Sequence, residues 1–276
     1  QLVKSLSFFD PVKGSDLYTN LDVEAQKSAA QYLGDRRGAV VAIDLESGGI
    51  NVLYSSPAYS INQLSNGMSD NELKDLINDP DKPFFNRALQ GRYPPASTIK
   101  PAIGMYGLSH DIVSWDFEMK DPGFFTLPET GRVFRGWLEG GHGKVDMHKA
   151  FLVSSNTYFF SLAYQADILE LSNHLSNLGF GQKVCLDCFD EDQAFVPTPE
   201  WKYNTMNAGW VKGDTVNLGV GQGYLVTTPM QLANYASLLA TKGQFIEPSL
   251  VILGNQKKSL KTWQDDDFDD ADWVKM

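Results

Sequence analysis

Two short runs rich in β-branched and aliphatic residues, Gly38-Ala-Val-Val-Ala-Ile-Asp44 and Ile50-Asn-Val-Leu-Tyr-Ser55, flank a turn containing Ser47, Gly48 and Gly49. Runs of this kind, bounded by glycine and serine, read as a β-hairpin. Around it the chain carries mainly helical signals. The stretch from Asp22 to Leu33 predicts a helix ended by Gly34 at a C-cap position. Ser69-Asp-Asn-Glu72 is a capping box opening a short helix through Ile77. Phe151, Leu152, Tyr158, Phe159 and Leu162 recur at helical spacing and predict one helix from about Met147 to Ala166. Another runs from about Ile168 to Leu178 and stops at Gly179. Thr228 and Pro229 start a helix over Met230 to Thr241, closed near Gly243. Residues 78–96 read as a structured loop, and 116–145 as a Gly-rich irregular region with a hairpin around Gly131. Strands near the N-terminus followed by many helices indicate an α+β arrangement.

At 276 residues the chain has ample core for one large domain or two small ones. No apolar run approaches the length that spans a bilayer, and no signal peptide is visible. The sequence opens at Gln1 without an initiator methionine, so it reads as a processed or excised piece from which an upstream anchor is missing. The net charge of −11 argues against nucleic acid as a partner. Asp265, Asp266, Asp267, Asp269, Asp270 and Asp272 supply more than half of it, and residues 256–276 read as a solvated acidic loop or tail. Cys185 and Cys188 form a Cys-x-x-Cys with no second Cys or His pair at zinc-ligand spacing. A local disulfide and two free thiols are both compatible with that pattern.

Chemistry enters with Tyr93-Pro-Pro-Ala-Ser-Thr-Ile-Lys-Pro101. A serine hydroxyl does not ionise near neutral pH, so a nucleophilic serine needs a base held against it. A lysine whose pKa is lowered by burial or positive charge can be that base. Pro94 and Pro95 mark an extended lead-in, with a helix starting at about Ala96 or Ser97. The three-residue step then puts Ser97 and Lys100 on one helix face, in hydrogen-bonding range. Ser97 would sit at the positive end of the helix, where developing negative charge is favoured. Alone the pattern is weak. Ser-x-x-Lys arises about once by chance in a chain this long, and taken by itself it is better explained as a capped helix start with a solvated lysine. A second polar group, Ser154-Ser155-Asn156, runs into the aromatic helix Thr-Tyr-Phe-Phe. Buried hydroxyls and amides are costly without partners, so a polar tripeptide there needs a reason, either as a helix cap or as part of a site.

Together these segments resemble the penicillin-binding transpeptidases, whose fold is an antiparallel sheet packed with helices. The resemblance rests on a long ordered series: Ala39-Val-Val-Ala-Ile-Asp44, Asn86 through Pro101, Ser154-Ser-Asn156, Gly179-Phe-Gly181, Gly221-Gln-Gly223 and Thr227-Thr-Pro-Met-Gln-Leu-Ala233. Asn78 through Arg87, Asp121-Pro-Gly123, Gly141-His-Gly143 and Met147-His-Lys-Ala150 are most similar to the elongation-type members of Gram-negative rods. The resemblance implies a single transpeptidase domain over 1–276. It implies Ser97 as the acylated nucleophile, Lys100 as general base, Ser154 as proton relay and Asn156 as a hydrogen-bonding partner of the substrate backbone. The oxyanion hole would use the Ser97 N–H and one N–H from a later strand. The implied substrates are the D-alanyl-D-alanine ends of peptidoglycan stem peptides, with β-lactams as mimics. The resemblance also implies a partner glycosyltransferase in the membrane and action on the periplasmic face of the inner membrane.

Two departures accompany the resemblance. The family's third motif, Lys-Ser/Thr-Gly, is absent: Lys261-Thr262-Trp263 lacks the glycine, and the chain reads as truncated before the C-terminal strands that carry the motif. Some close relatives also hold a zinc near the site through two Asp, a His and a Cys. Asp121 and His142 match two of these, while Gly136 and Ser155 stand at the other two, so no metal and no cofactor are expected. His110, His148 and His174 read as surface or packing residues. Rival functions are a serine β-lactamase, a β-lactam-binding sensor and an inactive scaffold. The first is separated by its fast deacylation. The other two are disfavoured by the Gly-Gln-Gly and Asp-Pro-Gly segments and by the four intact residues Ser97, Lys100, Ser154 and Asn156.

Overall fold

The computed structural model describes residues 12–252, 263 and 268–276. Helix α1 (Val23–Leu33) begins where the Asp22 carboxylate accepts the Glu24 and Ala25 N–H groups, and it stops at Gly34. Strands β1 (Gly38–Ile43) and β2 (Ile50–Ser56) pair antiparallel from Gly38 opposite Ser56, with one irregularity between Ala42 and Ile43. The hairpin turn is fastened by Asp44, whose carboxylate accepts the N–H and hydroxyl of Ser47. Helix α2 (Ile61–Asn66) is followed by α3 (Asp70–Asn78), and both halves of the predicted Ser69–Glu72 capping box are formed.

The stretch expected to be loop contains a short helix, α4 (Arg87–Gln90), because the Asn86 side chain caps Ala88 and Leu89. A 3₁₀ turn over Ala96–Ile99 then feeds α5 (Lys100–Ser109), with Pro101 tolerated in its first turn. Strands β3 (Met119–Asp121), β4 (Phe124–Thr126), β5 (Val133–Arg135) and β6 (Gly143–Val145) follow. β4 and β5 form the hairpin expected around Gly131, and β3 pairs with β6. Every pairing between these named strands is antiparallel, and an isolated parallel bridge joins Gly49 to Ser249.

The helix expected from Met147 to Ala166 is two helices, α6 (Met147–Leu152) and α7 (Asn156–Gln165). Between them Ser154 adopts a left-handed φ of 51°, and the Ser155 hydroxyl caps α7 by accepting the Tyr158 N–H. Periodicity misses the break because both helices bury apolar residues in the same core and no Gly or Pro marks the join. Helices α8 (Ile168–Asn177), α9 (Pro199–Met206), α10 (Lys212–Leu218) and α11 (Pro229–Ala240) complete the layer, α11 with a Thr228–Gln231 capping box.

The acidic end corrects the expectation of a loop. Asp265, Asp266 and Asp267 lie outside the described residues, but Asp269 caps helix α12 (Asp270–Lys275) in a capping box with Asp272. Asp272 also accepts the Trp115 indole N–H at 2.7 Å, and Trp273 packs on Trp263 and Phe268. Aspartates in a first helical turn are favoured by the helix dipole, so part of a like-charge run becomes a helix start. The cysteines are joined as a disulfide. The intervening Asp187 carboxylate accepts the Leu250 and Val251 N–H groups at 2.8 Å each, fastening this loop to the segment beside the first hairpin.

Helix α5 is the centre of the core. Ile103, Met105 and Tyr106 are fully enclosed, and Tyr158, Phe159 and Leu162 of α7 close over it. His174 belongs to this packing, with Nε2 against the Ala102 carbonyl and its ring on Tyr106. His110 caps Tyr106, whereas His148 is exposed. The close approach depends on glycine: a Cβ at Gly107 would lie 2.6 Å from Leu162 Cδ1, and one at Gly104 would lie 2.6 Å from the Phe151 ring. Gly107→Ala is expected to destabilise the fold by about 1–3 kcal/mol despite its better helix propensity. Urea unfolding checks this, and an unchanged midpoint would mean that Leu162 moves aside freely.

Candidate active site

The Tyr93–Pro95 lead-in is clamped before the helix begins. Tyr93 exchanges backbone hydrogen bonds with Thr227 at 2.9 and 2.8 Å, and the Ala96 N–H donates to the Gly221 carbonyl at 2.9 Å. Ala96 has a left-handed φ of 49°. Gly221, at φ 68°, allows this contact, because a Cβ there would stand 2.2 Å from the Ala96 carbonyl oxygen. The Gly-Gln-Gly segment thus sets the height of Ser97, which emerges exposed at the start of the 3₁₀ turn.

Lys100 lies one turn further in and is 2% exposed. The spacing predicts a direct bond from its ammonium to Ser97, and the structure corrects this. Its three hydrogen bonds go to the Ser154 carbonyl (2.8 Å), Ser154 Oγ (2.9 Å) and Asn156 Oδ1 (2.7 Å). Ser154 Oγ in turn lies 3.0 Å from Ser97 Oγ, so lysine and serine communicate through a second hydroxyl. The 3₁₀ geometry at Ala96–Ile99 and the break between α6 and α7 together make that arrangement. The left-handed Ser154 turns both its carbonyl and its hydroxyl toward Lys100, which a continuous helix could not do.

Burial pushes the Lys100 pKa down to about 8, with the Asp121 charge opposing part of the shift. The Phe159 ring centroid lies 5.4 Å from Nζ. A lysine tuned in this way can accept a proton near neutral pH, and the Ser154 hydroxyl can relay it from Ser97. Asn156 Oδ1 is used on Lys100, which leaves its Nδ2 as the donor for a bound group. The four expected residues therefore meet in one place.

Asp121 and His142 are brought together as well, but into a hydrogen-bonded cluster. Asp121 Oδ2 accepts from His142 Nδ1 at 2.8 Å and from Ser155 Oγ at 2.7 Å, and Oδ1 accepts the Gly123 N–H at 2.8 Å. Burial alone would raise this carboxyl's pKa; polar partners, led by Ser155 and His142 and including Thr157 and the Gly123 N–H, outweigh it and hold the pKa at about 2. The cluster does not fit the zinc of the relatives. Ser155 Oγ is spent on Asp121 and Tyr158, and Gly136 offers only backbone. His142 Nε2 is the single buried donor atom of the set without a partner. One free ligand does not hold zinc.

Trp263, last of the Lys261-Thr262-Trp263 string, is a core residue stacked edge-on against His174. Lys261 and Thr262 lie outside the described residues. Sequence reasoning missed the role of Gly221 at Ala96 and the tie from Asp121 to Ser155; the Asp-Pro-Gly and Gly-Gln-Gly strings were the available signals.

A family model for the penicillin binding protein transpeptidase domain matches residues 38–276. The chain belongs to the penicillin-binding transpeptidase family. It is similar to the peptidoglycan D,D-transpeptidase MrdA of Acinetobacter baumannii, with 40% identity over 281 aligned residues covering 100% of this chain and 42% of that protein. Among solved structures, PBP2 of Pseudomonas aeruginosa in complex with WCK 5153 superposes with a TM-score of 0.88 at 37% identity, over 96% of this chain and 61% of that one. PBP2 of Helicobacter pylori in complex with MreC gives 0.85 at 30% identity, over 94% of this chain and 47% of that one. The chain thus spans less than half the length of the curated transpeptidase it matches. Membership in the transpeptidase family accounts for the ordered motif series and for the α+β fold with antiparallel pairing.

Proposed function

We propose that this chain carries the serine acyl-transfer site of a peptidoglycan D,D-transpeptidase. The observation that carries the reading is the hydrogen-bonded chain from buried Lys100 through Ser154 to exposed Ser97. Ser97 Oγ attacks the carbonyl of the penultimate D-alanine of a stem peptide. Its proton passes through Ser154 Oγ to neutral Lys100, and the Ser97 N–H at the helix start faces the developing oxyanion. The C–N bond then breaks, and the proton returns by the same path to the departing D-alanine amine. An amine of a neighbouring stem attacks the Ser97 ester, the C–Oγ bond breaks, and the amine's proton passes through the relay back to Ser97 Oγ as the cross-linked peptide leaves. Asn156 Nδ2 donates to the substrate's peptide carbonyl. The strained amide of a β-lactam enters the same first step, but its leaving group stays attached.

For the whole protein, the likeness to MrdA supports a role in cell elongation and rod shape, exercised on the periplasmic face of the inner membrane. The relative seen in complex with MreC supports assembly with a partner of that kind, and a membrane glycosyltransferase would supply the glycan strands. No helix among the described residues is long and apolar enough to cross a membrane.

Intact-protein mass after incubation with benzylpenicillin tests the proposal. One drug mass is expected to attach and to persist for hours. An adduct lost within minutes would indicate a β-lactamase. No adduct on a protein that still melts cooperatively would favour a scaffold.

A further inference from the structure

We infer that Asp121 is a positioning residue for the acylation of Ser97: through Ser155 its buried carboxylate holds the left-handed turn that aims Ser154 and Asn156 at Lys100. This deepens the transpeptidase reading and rests on it. Asp121 ends β3, outside the helices that carry the other residues, yet it is itself rigidly seated. The 121–123 and 136–142 loops touch through glycine. A Cβ at Gly141 would lie 2.2 Å from both the Asp121 carbonyl oxygen and the Gly123 nitrogen, and the Gly136 N–H donates to the Gly123 carbonyl at 2.7 Å.

From that platform Asp121 Oδ2 receives the His142 and Ser155 protons. Ser155 is fixed in three further ways: it is fully buried, its N–H donates to the Ala150 carbonyl, and its Oγ accepts the Tyr158 N–H. The residues on either side of it, Ser154 and Asn156, accept all of the hydrogen bonds that Lys100 Nζ donates among the described residues. Serine seldom adopts the φ of Ser154 unless its surroundings impose it. Beside the direct effect of its charge on Lys100, the carboxylate therefore positions the partners of Nζ through one intervening residue, Ser155.

The test compares wild type, Asp121→Asn, Ser155→Ala and the double variant in stopped-flow acylation by a fluorescent penicillin, resolved into non-covalent binding and the acylation step. The acylation step is expected to slow about 10- to 100-fold in either single variant while non-covalent binding stays within about threefold. Because the two residues act in series, the double variant should lose no more than the worse single one. An unchanged acylation step in a folded Asp121→Asn protein, or losses that multiply, would overturn the assignment. So would a loss of wild-type rate on chelation that zinc restores.

Reductive methylation of Lys100, read on its peptide, needs no acylation. It should accelerate about tenfold in whichever variant retains a cooperative melt, because Nζ loses its enclosing partners. Equal labelling would overturn the positioning role. A wild type that takes up no penicillin would sink the transpeptidase reading alone, since the labelling still decides the role of Asp121.

Discussion

Ser97→Ala is expected to abolish the penicillin adduct while leaving the protein folded. The side chain is exposed and its one side-chain hydrogen bond is to Ser154 Oγ, so stability should change by no more than about 0.5 kcal/mol. The structure supplies a rival nucleophile that the sequence does not suggest. Lys100 bonds directly to Ser154 Oγ, at 2.9 Å, and reaches Ser97 only through it. Exposure decides between them: Ser97 opens to solvent at the start of a helix, whereas Ser154 is half-buried and its hydroxyl is already shared. Digestion and peptide mapping of the wild-type adduct check the outcome. A label on the peptide carrying Ser154, or one that survives in Ser97→Ala, would reverse the roles of the two serines.

Lys100→Met should slow acylation by about 10²–10⁴-fold, the usual contribution of a general base. Methionine fills much of the same space, but it leaves the Ser154 carbonyl and Asn156 Oδ1 without their donor. Each loss costs about 1–3 kcal/mol, partly offset because no buried charge remains. In the wild type the base must be neutral to act, and burial sets its pKa at about 8. The acylation rate should therefore climb about tenfold per pH unit below pH 8 and level off above it. The same shift affects stability with a definite sign. The folded pKa of about 8 lies below the ordinary 10.5, so between these values the unfolded chain binds more protons. The stabilising contribution is fully present above pH 10.5 and is lost as the pH falls through about 8. A flat acylation profile between pH 6 and 9 would remove Lys100 from the role of base.

Much of the fold was legible because its signals are local. Asp22 and Gly34 bound α1, the Ser69–Glu72 box opens α3, and Thr228-Pro229 starts α11; each works through hydrogen bonds within a few residues of itself. The hairpin of β1 and β2 was legible for the same reason, since its turn and its register are set by neighbours in the chain. Helix α12 was not legible, because a run of aspartates reads as solvated until Trp115 and Trp263 give Asp272 and Trp273 something to pack against. The fate of the cysteines was equally open, since Cys-x-x-Cys fits thiols and disulfide alike.

The candidate site divides along the same line. By itself the sequence determined which side chains are present, that Pro94 and Pro95 precede a helix start at about Ala96 or Ser97, and, through the ordered motif series, which family the chain belongs to. Only the tertiary structure decided how those side chains connect. It broke the expected 147–166 helix at Ser154, routed Lys100 to Ser97 through a second serine, and joined Asp121, His142 and Ser155 into a hydrogen-bonded tie. The physical reason is the range of the forces involved. Caps and turns are satisfied within one helical turn of sequence. A buried ammonium, a buried carboxylate and a left-handed serine are stable only when partners far away in sequence arrive to pair with them.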